Sequence, residues 1–365
     1  PAPQPAPQPA PQPAPQPEPT PRATPEPLPP LEAAPEIRGV AFPLHSRDPR
    51  YDYRPSLAEL PEHGIQQVLV VVHLFQPRGV SPFPARHPLK TPRDEVVRTV
   101  ITAARELGLE VGLMPIVLLE TPHKGEWRGN LTPPDKQGRT RGQAGFDGRQ
   151  ADWARWFRGY RREVLHYARL AQRAGASLFS VGSELSSTEA QAEHWTALIR
   201  EVRGLFAGEL TYSANWDHYE NVQVWQQLDY VGLSGYYELV SRQNKTPTLR
   251  ELIAGWGRWR DKILAWHRRA GLSDHPLLFT EVGYASIDGC AAKPWDYTLD
   301  TRLDLSEQRD CYRAFAHAWG GQEALGGVFF YEWWGHGGRA DRGYTPRGKP
   351  AMSVIREWFR VGSGR

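Results

Sequence analysis

Three glutamates stand at the exits of short apolar runs: Glu184 in "FSVGSELSS", Glu281 in "PLLFTEVGY" and Glu332 in "VFFYEWWG". An acid at the end of a buried strand is either a surface-seeking chain end or a group aimed at a ligand. One such residue does not distinguish the two. Around these three the sequence sets rings and hydrogen-bonding groups. Trp127 and Arg128 lie in "GEWRGNL", Ser183 precedes Glu184, and Asn215 and Trp216 lie in "SANWDHY". Tyr236 and Tyr237 lie in "SGYYEL", and Trp333 and Trp334 follow Glu332. Two acids with flat rings and polar groups between them suit the cleavage of a glycosidic bond. One acid protonates the leaving oxygen while the other attacks the anomeric carbon or activates water to do so. Rings cover the apolar faces of sugars, and polar groups hold hydroxyls. Glu184 and Glu281 are candidates for this pair; Glu332 could equally be catalytic on this logic, although its tryptophan neighbours suggest a platform position.

Such a pair works only if the fold gathers residues that are distant in sequence. Eight short apolar runs offer the means: 37–42, 66–75, 109–119, 177–182, 209–214, 229–235, 276–281 and 326–332. Most are continuous rather than alternating, the pattern of parallel strands covered on both faces. Amphipathic stretches at 91–108, 152–175, 188–206 and 249–271 alternate with them. The first is expected to start from Thr91 as N-cap with Pro92 at the first helical position, and to stop at Gly108. The connection between the fifth and sixth strands is short, and "ENVQVWQQL" is its weak helix. Strands and helices alternating eight times predict a (β/α)8 barrel. A doubly wound open sheet would place a glycine-rich phosphate turn after its first strand, and "PLHSRDPRYDY" holds none. In a barrel the chemistry sits at the carboxyl ends of the strands, where all the residues named above fall.

Composition bounds the rest. Fifteen of the 34 prolines lie in the first thirty residues, so residues 1–36 read as a disordered polyproline spacer and 37–365 as one catalytic domain. The net charge of +3 is no electrostatic footprint for nucleic acid. No apolar run is long enough to span a membrane. The expectation is a monomer that is secreted or displayed at the cell surface, tethered through its stalk, lipid-anchored or periplasmic, with a polysaccharide or oligosaccharide as its partner. Two cysteines, Cys290 and Cys311, predict a disulfide in an exported chain. His73, on the second strand, is read as a mouth-lining or core histidine rather than a metal ligand, and no metal or cofactor is expected.

The motifs "GSEL", "LFTEVGY" and "FFYEWW", in this order and spacing, resemble the clan A glycoside hydrolases. With "VLVVVHLFQ", "GLEVGLMPIVLLE" and "LDYVGLSGYYEL" the likeness is to glycoside hydrolase family 113, over roughly Arg38 to Trp358. The resemblance implies a retaining double displacement on β-1,4-mannan or glucomannan without a cofactor. Glu184 is then the acid/base and Glu281 the nucleophile. Tyr236 or Tyr237 would hold the nucleophile ionised, and Trp333 or Trp334 would floor a subsite. Two departures touch sugar recognition: Ser183 stands where the clan usually has asparagine, and "MPIV" stands where a "KPH"-like segment is common. They leave open the same mechanism on another glycan, such as an exopolysaccharide, or a non-catalytic glycan-binding barrel.

Overall fold

The computed structural model describes residues 28–361 apart from Pro49 and Lys245. Most of the expected proline-rich stalk lies outside the described residues. Among the described residues, eight strands close into a parallel barrel in chain order. They are β1 (Ile37–Pro43), β2 (Gln67–Gln76), β3 (Glu110–Leu119), β4 (Leu178–Ser183), β5 (Glu209–Ala214), β6 (Val231–Ser234), β7 (Leu277–Val282) and β8 (Leu325–Phe330). Closure is made by β1 against β8, with Val40 opposite Phe330. The protein is a TIM barrel, with every predicted strand present.

Helices α1 (Arg54–Ala58), α2 (Asp94–Glu106), α3 (Trp153–Ala174), α4 (Ala192–Arg203), α5 (Leu249–Arg269), α6 (Leu305–Trp319) and α7 (Pro350–Arg360) form the outer layer. Their ends follow local chemistry. The Asp152 carboxylate accepts from Arg155 N at the start of α3, and Thr248 and Glu251 form a reciprocal capping box on α5. At α2 the expectation fails. Arg93 occupies the N-cap, because the Thr91 hydroxyl is engaged elsewhere, donating to His73 O (2.7 Å) and accepting from His87 N (2.8 Å). The weak helix between β5 and β6 is also absent. That segment forms two single 3₁₀ turns, Tyr219–Asn221 and Trp225–Gln227, joined through an extended Val222. Its β-branched valines and short length favour this over a helix.

Two apolar layers hold the fold. Ala41, Leu69, Val71, Met114, Ile116, Leu178, Leu278 and Phe329 pack together inside the barrel. The alternate strand residues, such as Val40, Val68 and Val70, pack outward against the helices. Gly39 is required here, since a Cβ would lie 2.3 Å from the Phe329 ring. Residues 31–36 belong to the barrel unit, which begins at Leu31 rather than Ile37.

Candidate active site

Glu184 directly follows β4 and Glu281 is the penultimate residue of β7. Both are buried, at 5% and 2% exposure, and the barrel brings them to one mouth. Glu281 Oε2 accepts from the Tyr236 hydroxyl at 2.8 Å. Glu281 Oε1 is buried with no hydrogen-bond partner among the described residues. Glu184 Oε1 accepts from the Ser234 hydroxyl, and its Oε2 is ion-paired with Arg128 Nη2 at 2.5 Å. Burial and the neighbouring Glu184 charge push Glu281 up to about 8, against the opposing pull of Arg128 and the Tyr236 hydrogen bond. Burial works against the charge of Arg128, but Glu184 and Glu281 outweigh it and raise its proton affinity.

Glu184 is held in an unusual backbone state. Its φ is +52°, the left-handed region that non-glycine residues rarely adopt. Its N–H donates to Ser213 O at 2.8 Å. The next amide, Leu185 N, donates to the Tyr212 hydroxyl at 2.9 Å, and that hydroxyl donates to Glu189 Oε1 at 2.9 Å.

Arg128 reaches the mouth from a braced turn between β3 and α3. Asn130 Oδ1 accepts from Trp127 N (3.0 Å), and its amide donates to Gly125 O (2.7 Å). Glu126 ties the turn to Arg78 (2.7 Å). Trp127 beside it is exposed.

The other expected residues divide. Trp334, after β8, packs against His45, Tyr51 and Tyr53, where His45 follows β1 and binds Glu332 Oε2 at 3.2 Å. Trp216 stacks on Trp295 at 5.6 Å, and the amide of Asn215 donates to Asp217 Oδ1. Ser183 is buried, its hydroxyl unpartnered among the described residues. Trp333 and Tyr237 are placed elsewhere. Trp333 is 1% exposed and donates to Ser56 O behind the strands. Tyr237 is fully buried against Trp256 and Trp259 of α5. Neither joins the carboxylates; Tyr236 bonds Glu281, and Trp334 packs beside His45, the partner of Glu332.

His73 is buried and stacked on His45 at 5.0 Å. Burial, with His45 and Arg128 nearby, lowers it to about 3, so its ring is neutral. Sequence reasoning missed Ser234 and His45, which carry no signal beyond their places at the ends of β6 and β1. The expected disulfide is not formed: Cys290 and Cys311 are buried free thiols. Asp288, Asp304 and Glu307 are close enough to hold a cation, but they serve the chain. Asp304 caps α6, Glu307 accepts from Gly289 N and Ala291 N, and Asp288 pairs with Arg302.

The model of Glycoside Hydrolase Family 113 matches residues 50–348. By structure the chain is similar to a GH113 β-1,4-mannanase at 26% identity and a TM-score of 0.75, covering 88% of this chain and 98% of that one. It is similar also to a GH113 β-mannanase from Alicyclobacillus acidocaldarius solved in complex with ManMIm, at 27% identity and a TM-score of 0.75, covering 88% and 96%. A β-glucuronidase from Faecalibacterium prausnitzii, at 14% identity and a TM-score of 0.56, shares the fold over 90% of this chain and 49% of its own. None of the curated proteins compared by sequence matches.

Proposed function

The chain belongs to glycoside hydrolase family 113, and from that premise we propose that it is a retaining β-glycosidase acting within β-1,4-mannan or glucomannan chains. Glu281 is the nucleophile and Glu184 the acid/base. The observation that carries this reading is the division of labour on Glu281. Tyr236 orients Oε2, while the buried Oε1 keeps its lone pairs unengaged and free to attack.

In the first step Glu281 Oε1 bonds to the anomeric carbon as the glycosidic C–O bond breaks, and the Glu184 proton goes to the leaving oxygen. In the second, Glu184 takes a proton from water, the water oxygen bonds to the anomeric carbon, and the ester to Glu281 breaks. The first step needs Glu281 ionised and Glu184 protonated, and the second starts from the ester on Glu281 with Glu184 ionised as the base. Trp334 and Trp127, the rings on either side of the carboxylates in barrel order, supply faces for sugar stacking. Ser183 and Asn215 flank Glu184 and the β5 exit as hydroxyl-binding groups. A polymer cannot enter a cell, which favours secretion or surface display, with the proline-rich segment as a spacer.

Purified protein is tested on β-mannan, glucomannan and a panel of other β-glycans, beside Glu281→Gln and Glu184→Gln. The expected outcome is oligosaccharide release by the parent, a loss of at least about a hundredfold in each folded variant, and a β-anomer as the first product by NMR. An intact mannan with another polymer cleaved shifts the substrate and keeps the mechanism. Ser183, in the place of asparagine, is the observation that makes that panel necessary. A panel left wholly intact ends the catalytic reading.

A further inference from the structure

The position of Arg128 conflicts with the state that the proposed reaction requires. A general acid must carry a proton, and a carboxylate in a 2.5 Å ion pair with a guanidinium has no proton to give. Glu281, which must be ionised, is the group that burial and Glu184 favour in the protonated form. The ion pair on Glu184 and the burial of Glu281 therefore favour the pair's single proton on Glu281, the opposite of what the reaction needs.

Arg128 is also in the way. Its guanidinium is within electrostatic reach of Glu184 after β4, Tyr236 after β6, Glu281 on β7 and Tyr331 after β8, and of His73 on β2. That set surrounds the centre of the mouth. Both Glu184 oxygens are engaged, Oε1 by Ser234 and Oε2 by Arg128, so a leaving oxygen that meets the acid must displace one of these partners. The turn beneath Arg128 is pinned by Asn130 and Glu126, so the movable part is the side chain. One of its donors, Nε, is buried without a partner among the described residues, ready to receive a hydroxyl acceptor once the side chain turns.

Resting on the retaining-glycosidase reading, we propose that Arg128 is a substrate-displaced gate on the acid/base. A bound glycan takes the guanidinium off Glu184 and onto sugar oxygens, and only then is the acid armed. The proton balance is closed. Glu281 releases one proton and becomes the carboxylate, Glu184 gains one, and the pair as a whole keeps its single proton. The groups that face this exchange are Ser234 on Glu184, Tyr236 on Glu281, the neutral His73, Tyr331, and Glu332 with its partner His45. The consequence is that a glycan-free site is poor at stray proton transfer, and that catalytic competence is coupled to occupancy of the subsites around Arg128.

The test compares two pH profiles in the parent, Arg128→Gln and Arg128→Lys. The basic limb of kcat/KM reports the free enzyme and that of kcat the complex. In the parent the kcat limb is expected at higher pH than the kcat/KM limb, because the pair holds its single proton more tightly once the guanidinium has left Glu184. In Arg128→Gln the kcat/KM limb rises to meet it and the gap closes, whereas Arg128→Lys keeps a gap. A residue that merely held the loop would lower kcat at every pH and leave the gap alone, which overturns the proposal. So does a parent whose two limbs coincide.

Infrared difference spectra of the glycan-free proteins at neutral pH supply the arm that needs no turnover. The protonated-carboxyl band of the parent should vanish in Glu281→Gln and persist in Glu184→Gln. In the Arg128→Gln background, part of it should become sensitive to Glu184→Gln. A parent band that already depends on Glu184 overturns the gate. A parent that hydrolyses no β-glycan overturns the enzymatic reading instead, so the two failures are told apart.

Discussion

At the scale of single residues, under the proposed function the hydroxyl of Tyr236 is the group that keeps Glu281 usable as a nucleophile. It stabilises the carboxylate form through a 2.8 Å bond to Oε2, and a hydrogen bond to a charged group is worth about 1.5 to 3 kcal/mol. Tyr236→Phe is therefore expected to lower kcat/KM by roughly 10- to 150-fold. It should also move the acidic limb to higher pH, because the unsupported nucleophile gives up its proton later. Tyr237→Phe, whose hydroxyl is buried and unpartnered among the described residues, should leave that limb where it is. A second consequence follows from Glu281 being raised to about 8. The native protein holds a proton that the unfolded chain releases in the ordinary glutamate range. Stability is then full below that range and falls as pH rises through about 8. Glu281→Gln has no charge to bury, so its melting-temperature advantage over the parent should widen from pH 5 to pH 9. A constant difference would refute this. Both carboxylates were legible in the sequence because an acid ending a continuous apolar run is conspicuous. The choice of Tyr236 over Tyr237 was not. Successive residues leaving a strand face opposite sides, but which one faces inward depends on where β6 ends, and that is a tertiary matter. Ser234 is a common residue whose role arises only from the register of β6 beside β7.

At the scale of elements, the site is held by what packs behind it. The left-handed Glu184 is fixed by its own amide and by the chain from Leu185 N through Tyr212 to Glu189. Burial, partly offset by that phenol, raises Glu189 to about 7. Tyr212→Phe deprives both the Leu185 amide and Glu189 of a buried partner. The expected cost is about 1 to 3 kcal/mol, read as a lower urea midpoint, together with reduced kcat as Glu184 loses its fixed angle. Helix α5 does the same for the loop that carries Tyr236. Trp259 Nε1 donates to Glu238 O at 2.8 Å and Arg258 to Leu239 O at 3.0 Å. The helix approaches closely only because residue 255 is glycine: a Cβ there would lie 2.3 Å from Leu239 O. Gly255→Ala should destabilise by about 1 to 3 kcal/mol through overpacking, and a calorimetric melt checks it. Helices α3 and α5 were legible to within a few residues, since Asp152 and Thr248 are caps whose partners lie in the next turn. The start of α2 was misread because Thr91 is drawn to the His73 carbonyl on β2, a partner no local pattern announces.

At the scale of the whole molecule, the barrel divides its labour between two ends. The mouth at the carboxyl ends of the strands carries buried charge and a strained backbone residue, and the opposite end must supply the stability that offsets them. The (β/α)8 architecture was readable because parallel strands covered on both faces leave continuous apolar runs, and the helices between them leave amphipathic ones. The lower end of the barrel was not readable, since residues 31–36 look like the last of a proline-rich spacer. In the structure they complete the hydrogen bonding of two distant helices. Gly321 N, after α6, donates to Ala33 O at 2.9 Å, and Trp358 Nε1, on α7, donates to Glu32 O at 3.1 Å. Arg38 joins the same seam, donating to Pro35 O at 3.0 Å and to Phe359 O at 2.7 Å. A chain begun at Leu31 keeps these bonds, and one begun at Ile37 leaves the Gly321 amide and the Trp358 indole without them. Each such loss costs about 1 to 3 kcal/mol, so the Ile37 form should melt several degrees below the Leu31 form. Because the seam precedes β1 and lies at the end away from Glu184 and Glu281, kcat per folded molecule should match between the two at a temperature where both are folded. Equal melting temperatures would show the seam to be idle, and a fall in kcat would show that the two ends are coupled through the barrel.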